Sequence, residues 1–210
     1  DHVTKAEMGF DKEGKILALR VKTFANLGAY LSTFSTCVPT YLHGTLMQGL
    51  YTTPKINVDV TGVFTHTNVV DAYRGAGRPE ATYLLERLLD LGALEMGIDP
   101  ADLRFKNFIP PFDGVKQPGY QTQVALQYDS GNYHGVLKKG LEILGYIDFR
   151  KKQKEAAKTG KLLGVGFSTY IEACGIAPSA VVGSLGARAG LFEFGQIRVQ
   201  PTGKVSVYTG

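Results

Sequence analysis

The N-terminal part of the chain alternates between apolar and polar residues in the way that is typical of β-strands. The segment Ile16–Phe24 alternates over its whole length and follows Val3–Phe10 across the turn at residues 11–14, which ends in glycine. In the strand predicted for Ile16–Phe24, one face carries Leu17, Leu19 and Val21, and the other face carries Arg20 and Lys22. A third alternating segment, Lys55–Phe64, predicts another strand, whereas residues 25–50 show no clean period.

Helical periodicity begins after residues 71–78. Pro79 suits the first turn of a helix and Gly97 suits its end. The predicted apolar stripe consists of Ala81, Leu84, Leu85, Leu88, Leu91 and Gly92. A second, short helix is expected to open with Asp99 as its N-cap and Pro100 in its first turn.

A third helix is predicted to begin at Ser130-Gly131-Asn132 and to end at Gly145. Its predicted apolar face is Tyr133, Val136, Leu137, Leu141 and Leu144. A basic helix over residues 150–161 follows, and Leu191–Gln200 and Lys204–Thr209 form a terminal hairpin. The order β, then α, then β predicts an α+β fold without the βαβ alternation of a doubly wound sheet.

The composition is that of a globular protein: 210 residues, of which 44% are hydrophobic and 20% are charged. Glycine is in excess, at 26 residues without a fixed period, which indicates turns and close backbone approaches. The chain begins without methionine and ends within a predicted strand, so we expect a fragment of a longer protein.

Charge and cysteine content exclude several classes of function. The net charge of +4 is concentrated in residues 150–161, where a solvated helix face is favoured over a nucleic-acid site. Cys37 and Cys174 form neither a zinc motif nor a disulfide framework, so a reducing cytoplasm is the expected location. No apolar run is long enough to span a bilayer.

The densest chemical signal is the segment at residues 71–80, DAYRGAGRPE, between a strand and a helix N-terminus. Its glycines allow backbone N–H groups to approach a ligand, and Arg74 and Arg78 add forked cationic donors. Such a segment is either an anion or cofactor cradle or a tight turn, because it lacks a complete nucleotide-binding motif.

Three weaker candidates remain. Glu172, within the glycine-flanked segment 164–177, is either a buried base or ligand or, as we favour, a residue on the wet face of a strand. The segment 183–190, with Arg188, is either a binding loop or a connection, and His66 is a possible neighbour of the arginine segment.

The segment Ala72–Arg78, AYRGAGR, resembles the molybdenum hydroxylase family of xanthine dehydrogenases, aldehyde oxidases and carbon monoxide dehydrogenase large subunits, in its form II branch. Further segments resemble the family in the same order, including those at residues 25–30, 97–111, 128–131 and 164–175. The resemblance implies part of the molybdenum-cofactor-binding domains of such a large subunit. Residues 1–150 would belong to the first of these domains, and residues 151–210 would be a linker helix and the start of the second.

The resemblance implies a molybdenum–pterin cofactor, as molybdopterin or its cytosine dinucleotide form, with Arg74, Gly75, Ala76 and Gly77 beside it. Ala76, Tyr170 and Glu172 would line the substrate pocket. The implied reaction is oxidative hydroxylation of an aldehyde, heterocycle or similar small molecule. Electrons would pass to an iron–sulfur small subunit and an FAD medium subunit in a dimer of heterotrimers. The family's catalytic glutamate lies outside this chain, so the fragment by itself is expected to be inactive.

Departures from the family pattern restrict the substrate. Gly75 stands where carbon monoxide dehydrogenases have a copper-binding cysteine, and Ala76 stands where xanthine dehydrogenases have an aromatic residue. Leu42 stands where a purine-orienting arginine would be. Purine oxidation is therefore not expected; carbon monoxide oxidation and a non-catalytic assembly role remain the alternatives.

Overall fold

We analysed a computed structural model, which describes residues 2–32, 34–114, 119–172 and 194–209. The chain divides into two compact units, residues 1–171 and residues 172–210. The predicted domain boundary between residues 150 and 151 stays a prediction. Among the described helices, none combines the length and the apolar character that crossing a membrane requires.

The first unit begins with a three-stranded sheet, and all three predicted strands are confirmed. Strands β1 (His2–Phe10) and β2 (Ile16–Gly28) are antiparallel, and β3 (Ile56–Phe64) pairs with β2 in parallel. In the turn between β1 and β2, the Asp11 carboxylate accepts hydrogen bonds from the backbone N–H groups of Glu13 and Lys15. This local bonding explains why the hairpin could be predicted from sequence.

The predicted position of Leu17 on the buried face of β2 is wrong. Phe10 pairs with Ile16 and Gly9 pairs with Ala18, so Leu17 is the extra residue of a β-bulge. The bulge changes the phase of the alternation. Ile16 is therefore buried together with Leu19 and Val21, while Leu17 is 50% exposed.

Helix α1 (Arg78–Met96) lies between Gly77 and Gly97, both in the left-handed conformation, and has Pro79 in its first turn and Gly97 at its end as predicted. Its buried residues are Ala81, Leu85, Glu86, Leu89, Gly92 and Ala93. The predicted inclusion of Leu91 in the stripe is wrong, since it is 38% exposed. Leu91 lies about 200° around the helix axis from Leu89, on nearly the opposite face. Because Leu89 faces the core, Leu91 faces solvent.

The remaining helices are α2 (Pro100–Asn107), capped by Asp99, α3 (Tyr133–Leu144), capped by Asn132, and α4 (Tyr146–Lys158). Helices α2 and α3 begin where the sequence predicts, whereas the basic helix, predicted over residues 150–161, begins four residues earlier, directly after Gly145. On α3 only Leu137 is fully buried. The prediction that Val136 and Leu144 face the core is wrong, because α3 packs along a narrow line and both side chains are exposed.

Four two-residue strands, which the sequence pattern does not predict, form two small ladders. β4 (Phe112–Asp113) pairs with β7 (Ser130–Gly131), and β5 (Tyr120–Gln121) pairs with β6 (Gln127–Tyr128). In the second unit, β8 (Gly195–Val199) and β9 (Val205–Thr209) form the predicted hairpin. The mixture of helices and sheets confirms the α+β class.

Asn107, at the end of α2, joins the helix to the first hairpin. Its side chain is fully buried, and its Oδ1 accepts a hydrogen bond of 2.9 Å from the Ile16 N–H. Its Nδ2 donates to the backbone oxygens of Gly14 and Leu103 at 2.8 and 2.9 Å. The amide therefore satisfies three backbone groups that would otherwise be buried without partners.

We expect Asn107→Ala to lower the free energy of unfolding by about 2–4 kcal/mol, because it leaves these backbone groups unsatisfied. Urea denaturation followed by circular dichroism measures the change. Asn57→Ala, at an exposed position of β3, is the matched control and should change stability by less than about 0.5 kcal/mol. Equal effects of the two substitutions would contradict the assigned role of Asn107.

Candidate functional site

The loop Arg74–Gly77 connects the end of the sheet region to α1 in an unusual backbone conformation. Three successive residues have positive φ: 91° at Gly75, 44° at Ala76 and 89° at Gly77. The Ala76 N–H donates to the Tyr73 carbonyl at 2.7 Å, and the Arg78 N–H donates to the Gly75 carbonyl at 3.2 Å. Consecutive left-handed residues make a tight loop that ordinary side chains would strain.

Both glycines are required by close contacts as well as by φ. A Cβ atom at Gly77 would lie 2.5 Å from the Val38 carbonyl oxygen, within the π-helical turn Cys37–Leu42. A Cβ atom at Gly75 would lie 2.6 Å from Cγ of Pro79. The loop is therefore in close contact with the π-helical turn on one side and with the first turn of α1 on the other.

A cavity of about 730 Å³ lies beside this loop. Arg74 and Ala76 line it, whereas Gly75 and Gly77 are not among the described residues that do. Its apolar walls are Val38, Pro39, Val70, Leu84 and Leu88, and its polar residues include His2, Asn26, His43, Asp71, Glu80 and Arg87. The volume is in the range of small-molecule and cofactor sites.

The charges around the cavity are mixed rather than uniformly basic. Arg74 and Arg87 line it together with Asp71 and Glu80. The Ser32 hydroxyl and the Ala72 N–H donate to the Asp71 carboxylate and lower the pKa of Asp71, so this group stays ionised. An anion would therefore be favoured at Arg74 and the N-terminus of α1 and not throughout the cavity.

A buried histidine forms one side of the same cavity. His43 is 1% exposed, and its Nε2 lies 3.2 Å from the Thr23 hydroxyl, which is 3.0 Å from the Thr4 hydroxyl. Burial, together with the nearby His2, lowers the pKa of His43 to about 4, so the imidazole is neutral near pH 7. Within the described part of the chain, its Nδ1 has no hydrogen-bond partner.

The structure does not place all the predicted pocket residues together. Tyr170, which is 64% exposed, lines a separate narrow cleft with Arg78 and Thr82. The residues of α1 that line this cleft face away from those that line the large cavity, so Ala76 and Tyr170 do not share a cavity. Glu172 is exposed and begins the second unit.

The other candidates have different outcomes. His66 is exposed and is not among the described residues that line the large cavity. Cys37 is half-buried at the start of the π-helical turn, and burial raises the pKa of its thiol. Cys174 and the segment 183–190, with Arg188, lie outside the described residues. The described residues contain no group of three or more histidine, cysteine or acidic side chains that could hold a metal.

Sequence reasoning missed His43 and the buried pair formed by Glu86 and Arg104. His43 lies in a segment without periodicity, so nothing in the sequence indicated its burial. Glu86 follows Leu85 on the buried face of α1, and a charged residue on that face is the signal that could have identified it.

Comparison with known proteins identifies the family of this chain. The family described as "Molybdopterin cofactor-binding domain" matches residues 1–108. The carbon monoxide dehydrogenase large chain of Hydrogenophaga pseudoflava is 36% identical over the whole of this chain, which covers 26% of that protein.

Two solved structures extend the similarity to the fold. The Cu,Mo-CO dehydrogenase in its carbon monoxide reduced state has a TM-score of 0.77 at 32% identity, over 100% of this chain and 27% of that one. Quinoline 2-oxidoreductase from Pseudomonas putida 86 has a TM-score of 0.81 at 26% identity, over 98% and 26%. The chain thus spans about a quarter of the length of these relatives. It belongs to the molybdopterin cofactor-binding domain family.

The burial of His43 predicts a pH dependence of stability. The pKa of its imidazole is about 4 in the folded chain, against 6.5 for an unperturbed histidine side chain. Between these values the unfolded chain takes up a proton that the folded chain does not. The free energy of unfolding should therefore fall by up to about 3 kcal/mol as the pH decreases from 6.5 to 4.

This decrease should be smaller in His43→Gln, because the variant lacks the titrating group. Urea denaturation at about pH 7 and about pH 4.5 measures the difference, with His66→Gln as an exposed control. A control variant that flattened the pH dependence as much as His43→Gln would refute the assignment to His43.

Proposed function

We propose that this chain is part of the large subunit of a molybdenum-dependent oxidoreductase that hydroxylates an aldehyde, a heterocycle or a similar small molecule. The observation that carries the proposal is the Arg74–Gly77 loop, a left-handed turn beside a cavity of cofactor size in a molybdopterin cofactor-binding domain. The function of the whole protein is inferred from its relatives, since the chain spans only part of them.

The residues of the loop fit an oxygen-rich, anionic group. Gly75 and Gly77 allow the loop its positive φ values, and the first turn of α1 presents the positive end of the helix dipole. Arg74 is exposed on the cavity wall, so its guanidinium is available for a forked hydrogen bond. The orphaned Nδ1 of His43 adds a neutral hydrogen-bonding atom to the same region.

In this proposal Arg74 holds the cofactor, and Gly75, Ala76 and Gly77 support it through the backbone. When bound, the molybdenum–pterin group supplies the two-electron oxidation–reduction chemistry, in molybdopterin or its cytosine dinucleotide form. Arg78 stabilises the loop, because its Nη1 donates to the Gly75 carbonyl at 3.2 Å. The apolar walls of the cavity would exclude water from the cofactor's surroundings.

Of the three residues that the resemblance assigns to the substrate pocket, Ala76 would line it beside the cofactor, whereas Tyr170 lines a separate cleft and Glu172 is exposed. The small side chain of Ala76 leaves room beside the loop, which favours a substrate that does not require an aromatic partner at this position. Tyr170 borders the cleft next to Arg78, on the opposite face of α1 from the large cavity. Tyr170 would therefore contribute to substrate binding only through this cleft.

Electron transfer requires partners that this chain does not contain. We propose an iron–sulfur small subunit and an FAD medium subunit, assembled as a dimer of heterotrimers. This arrangement is inferred from the family resemblance, and the complex should be purified intact for any test of activity.

Oxidation of carbon monoxide is the second candidate function, supported by the 36% identity with the Hydrogenophaga pseudoflava chain. Gly75 argues against a copper-containing version, because glycine has no side-chain ligand atom. A non-catalytic role in assembly is the third candidate, and the full-length sequence would favour it if the family's downstream cofactor segment and glutamate were missing.

We expect Arg74→Ala to reduce the molybdenum content of the full-length protein several-fold, because a charge-assisted hydrogen bond contributes about 1.5–3 kcal/mol. Metal analysis and pterin fluorescence after maturation measure the occupancy. Arg87→Ala is the matched control, since Arg87 lines the same cavity from α1. Unchanged occupancy in Arg74→Ala would remove Arg74 from the cofactor site, and absence of both molybdenum and pterin from the wild-type protein would refute the proposed function.

The two catalytic candidates predict different metal contents and substrates. The intact complex should contain molybdenum without stoichiometric copper, and it should oxidise members of a panel of aldehydes and N-heterocycles faster than carbon monoxide. Dye-reduction assays with each substrate measure this. Copper equal to molybdenum, with carbon monoxide as the best substrate, would instead establish the second candidate.

A further inference from the structure

The extended segment 163–171 lies along the first unit and leads to the unit boundary. Its inward residues Val165, Phe167 and Ile171 pack against the core formed by α1, α2 and neighbouring segments. Ser168 and Tyr170 alternate with them and are exposed. At the start of the segment, the Gln153 side chain donates to the Leu163 carbonyl at 2.6 Å.

Thr169 is the one inward position of this alternation that carries a hydroxyl, and it faces a buried carboxylate. Its backbone N–H donates to Oε2 of Glu86 at 2.8 Å, and its hydroxyl donates to Oε1 at 3.1 Å. The Tyr51 hydroxyl also donates to Oε1 and lies 2.8 Å from the Thr169 hydroxyl. The Glu86 carboxylate thus accepts one hydrogen bond from the Thr169 backbone and one from its side chain. The second bond needs a hydroxyl, which among the standard short side chains only threonine and serine provide.

Arg104 holds the Glu86 carboxylate in place. Its Nε donates to Oε2 at 3.0 Å, and its Nη2 donates to Asp90 at 2.9 Å. The Arg104 guanidinium also contacts the segment itself, since it lies 5.7 Å from the Phe167 ring. Glu86 therefore accepts four hydrogen bonds and has little freedom to follow a displaced segment.

The contact selects one register of the segment. A shift of one residue would turn Val165, Phe167 and Ile171 away from the core. A shift of two residues would keep the alternation but would place Phe167 or Ile171, which have no hydroxyl, at the carboxylate. Only the observed register satisfies both the apolar core and Glu86.

We propose that Glu86 is a positioning residue that fixes the register of segment 163–171, and with it Tyr170, against helix α1. The same helix begins at the Arg74–Gly77 loop, about 12 Å away along its axis. Arg78 donates to the Gly75 carbonyl and borders the cleft that Tyr170 lines. The contact thus sets the distance between the loop and the segment 163–171.

The test is hydrogen–deuterium exchange of the full chain, read by mass spectrometry over residues 164–171. Thr169→Val keeps the backbone N–H and the side-chain shape but removes the hydroxyl. We expect exchange of the Thr169 amide, whose N–H donates to Glu86, to become about tenfold faster, and Thr169→Ser to restore the wild-type rate. Glu86→Gln should have at least the effect of Thr169→Val, and the threonine variants keep the test valid if this substitution prevents folding.

Thr122→Val is the matched control, because the Thr122 hydroxyl, like that of Thr169, donates to an oxygen acceptor, here the Leu126 carbonyl at 2.6 Å. It should leave exchange over residues 164–171 unchanged.

Since the chain has no tryptophan, Tyr170→Trp provides a reporter whose fluorescence anisotropy should fall when combined with Thr169→Val. Unchanged exchange in Thr169→Val, failure of Thr169→Ser to restore it, or an equal effect of Thr122→Val would overturn the proposal. None of these readouts requires molybdenum, so they are independent of the proposed function.

Discussion

The buried ion pair of Glu86 and Arg104 is the interaction on which the first unit depends most. Burial alone would lower the pKa of Arg104, but the charges of Glu86 and Asp90 outweigh it, and the pKa of the guanidinium is raised. Burial and the Glu86 charge likewise raise the pKa of Tyr51, which keeps its hydroxyl protonated as a donor. Removing one member of such a pair typically costs about 3–5 kcal/mol, because the other charge remains buried. The pair connects α1, α2, the segment that contains Tyr51 and the segment that contains Thr169.

Local signals explain how much of the fold could be predicted from sequence. The β1–β2 turn, the Asp99 cap, Pro79 in the first turn of α1 and Gly97 at its end act within a few residues, and the structure has each where the sequence indicates it. The bulge at Leu17 could not be predicted, since it depends on pairing with β1 and not on the β2 sequence. The parallel pairing of β2 with β3 could not be predicted either, because the long connection between the two strands has no periodicity that indicates its path.

The candidate site was predictable only in its loop. The arginine and glycine residues of segment 71–80 are close together in the sequence and can be recognised there. In the structure, Arg74 and Ala76 of this loop line a cavity. The opposite wall comes from His2 and His43, which are brought there by β1 and by the π-helical turn. Tyr170 was grouped with Ala76 on the basis of resemblance, yet in the structure the two lie at different faces of α1. A sequence pattern does not specify on which side of a helix a distant segment packs.

The contact between Gly75 and Pro79 has a consequence for how this loop can change. A side chain at position 75 would meet the proline ring 2.6 Å from its Cβ, and φ at this position is 91°. A metal-binding cysteine at position 75 would therefore require Pro79 or the loop backbone to move, in addition to the strain of a side chain at this positive φ. Position 76 is different, because alanine already occupies the left-handed conformation there. The shape of the cavity wall thus depends on the side chain at position 76, while a ligand atom at position 75 would require the loop itself to rearrange.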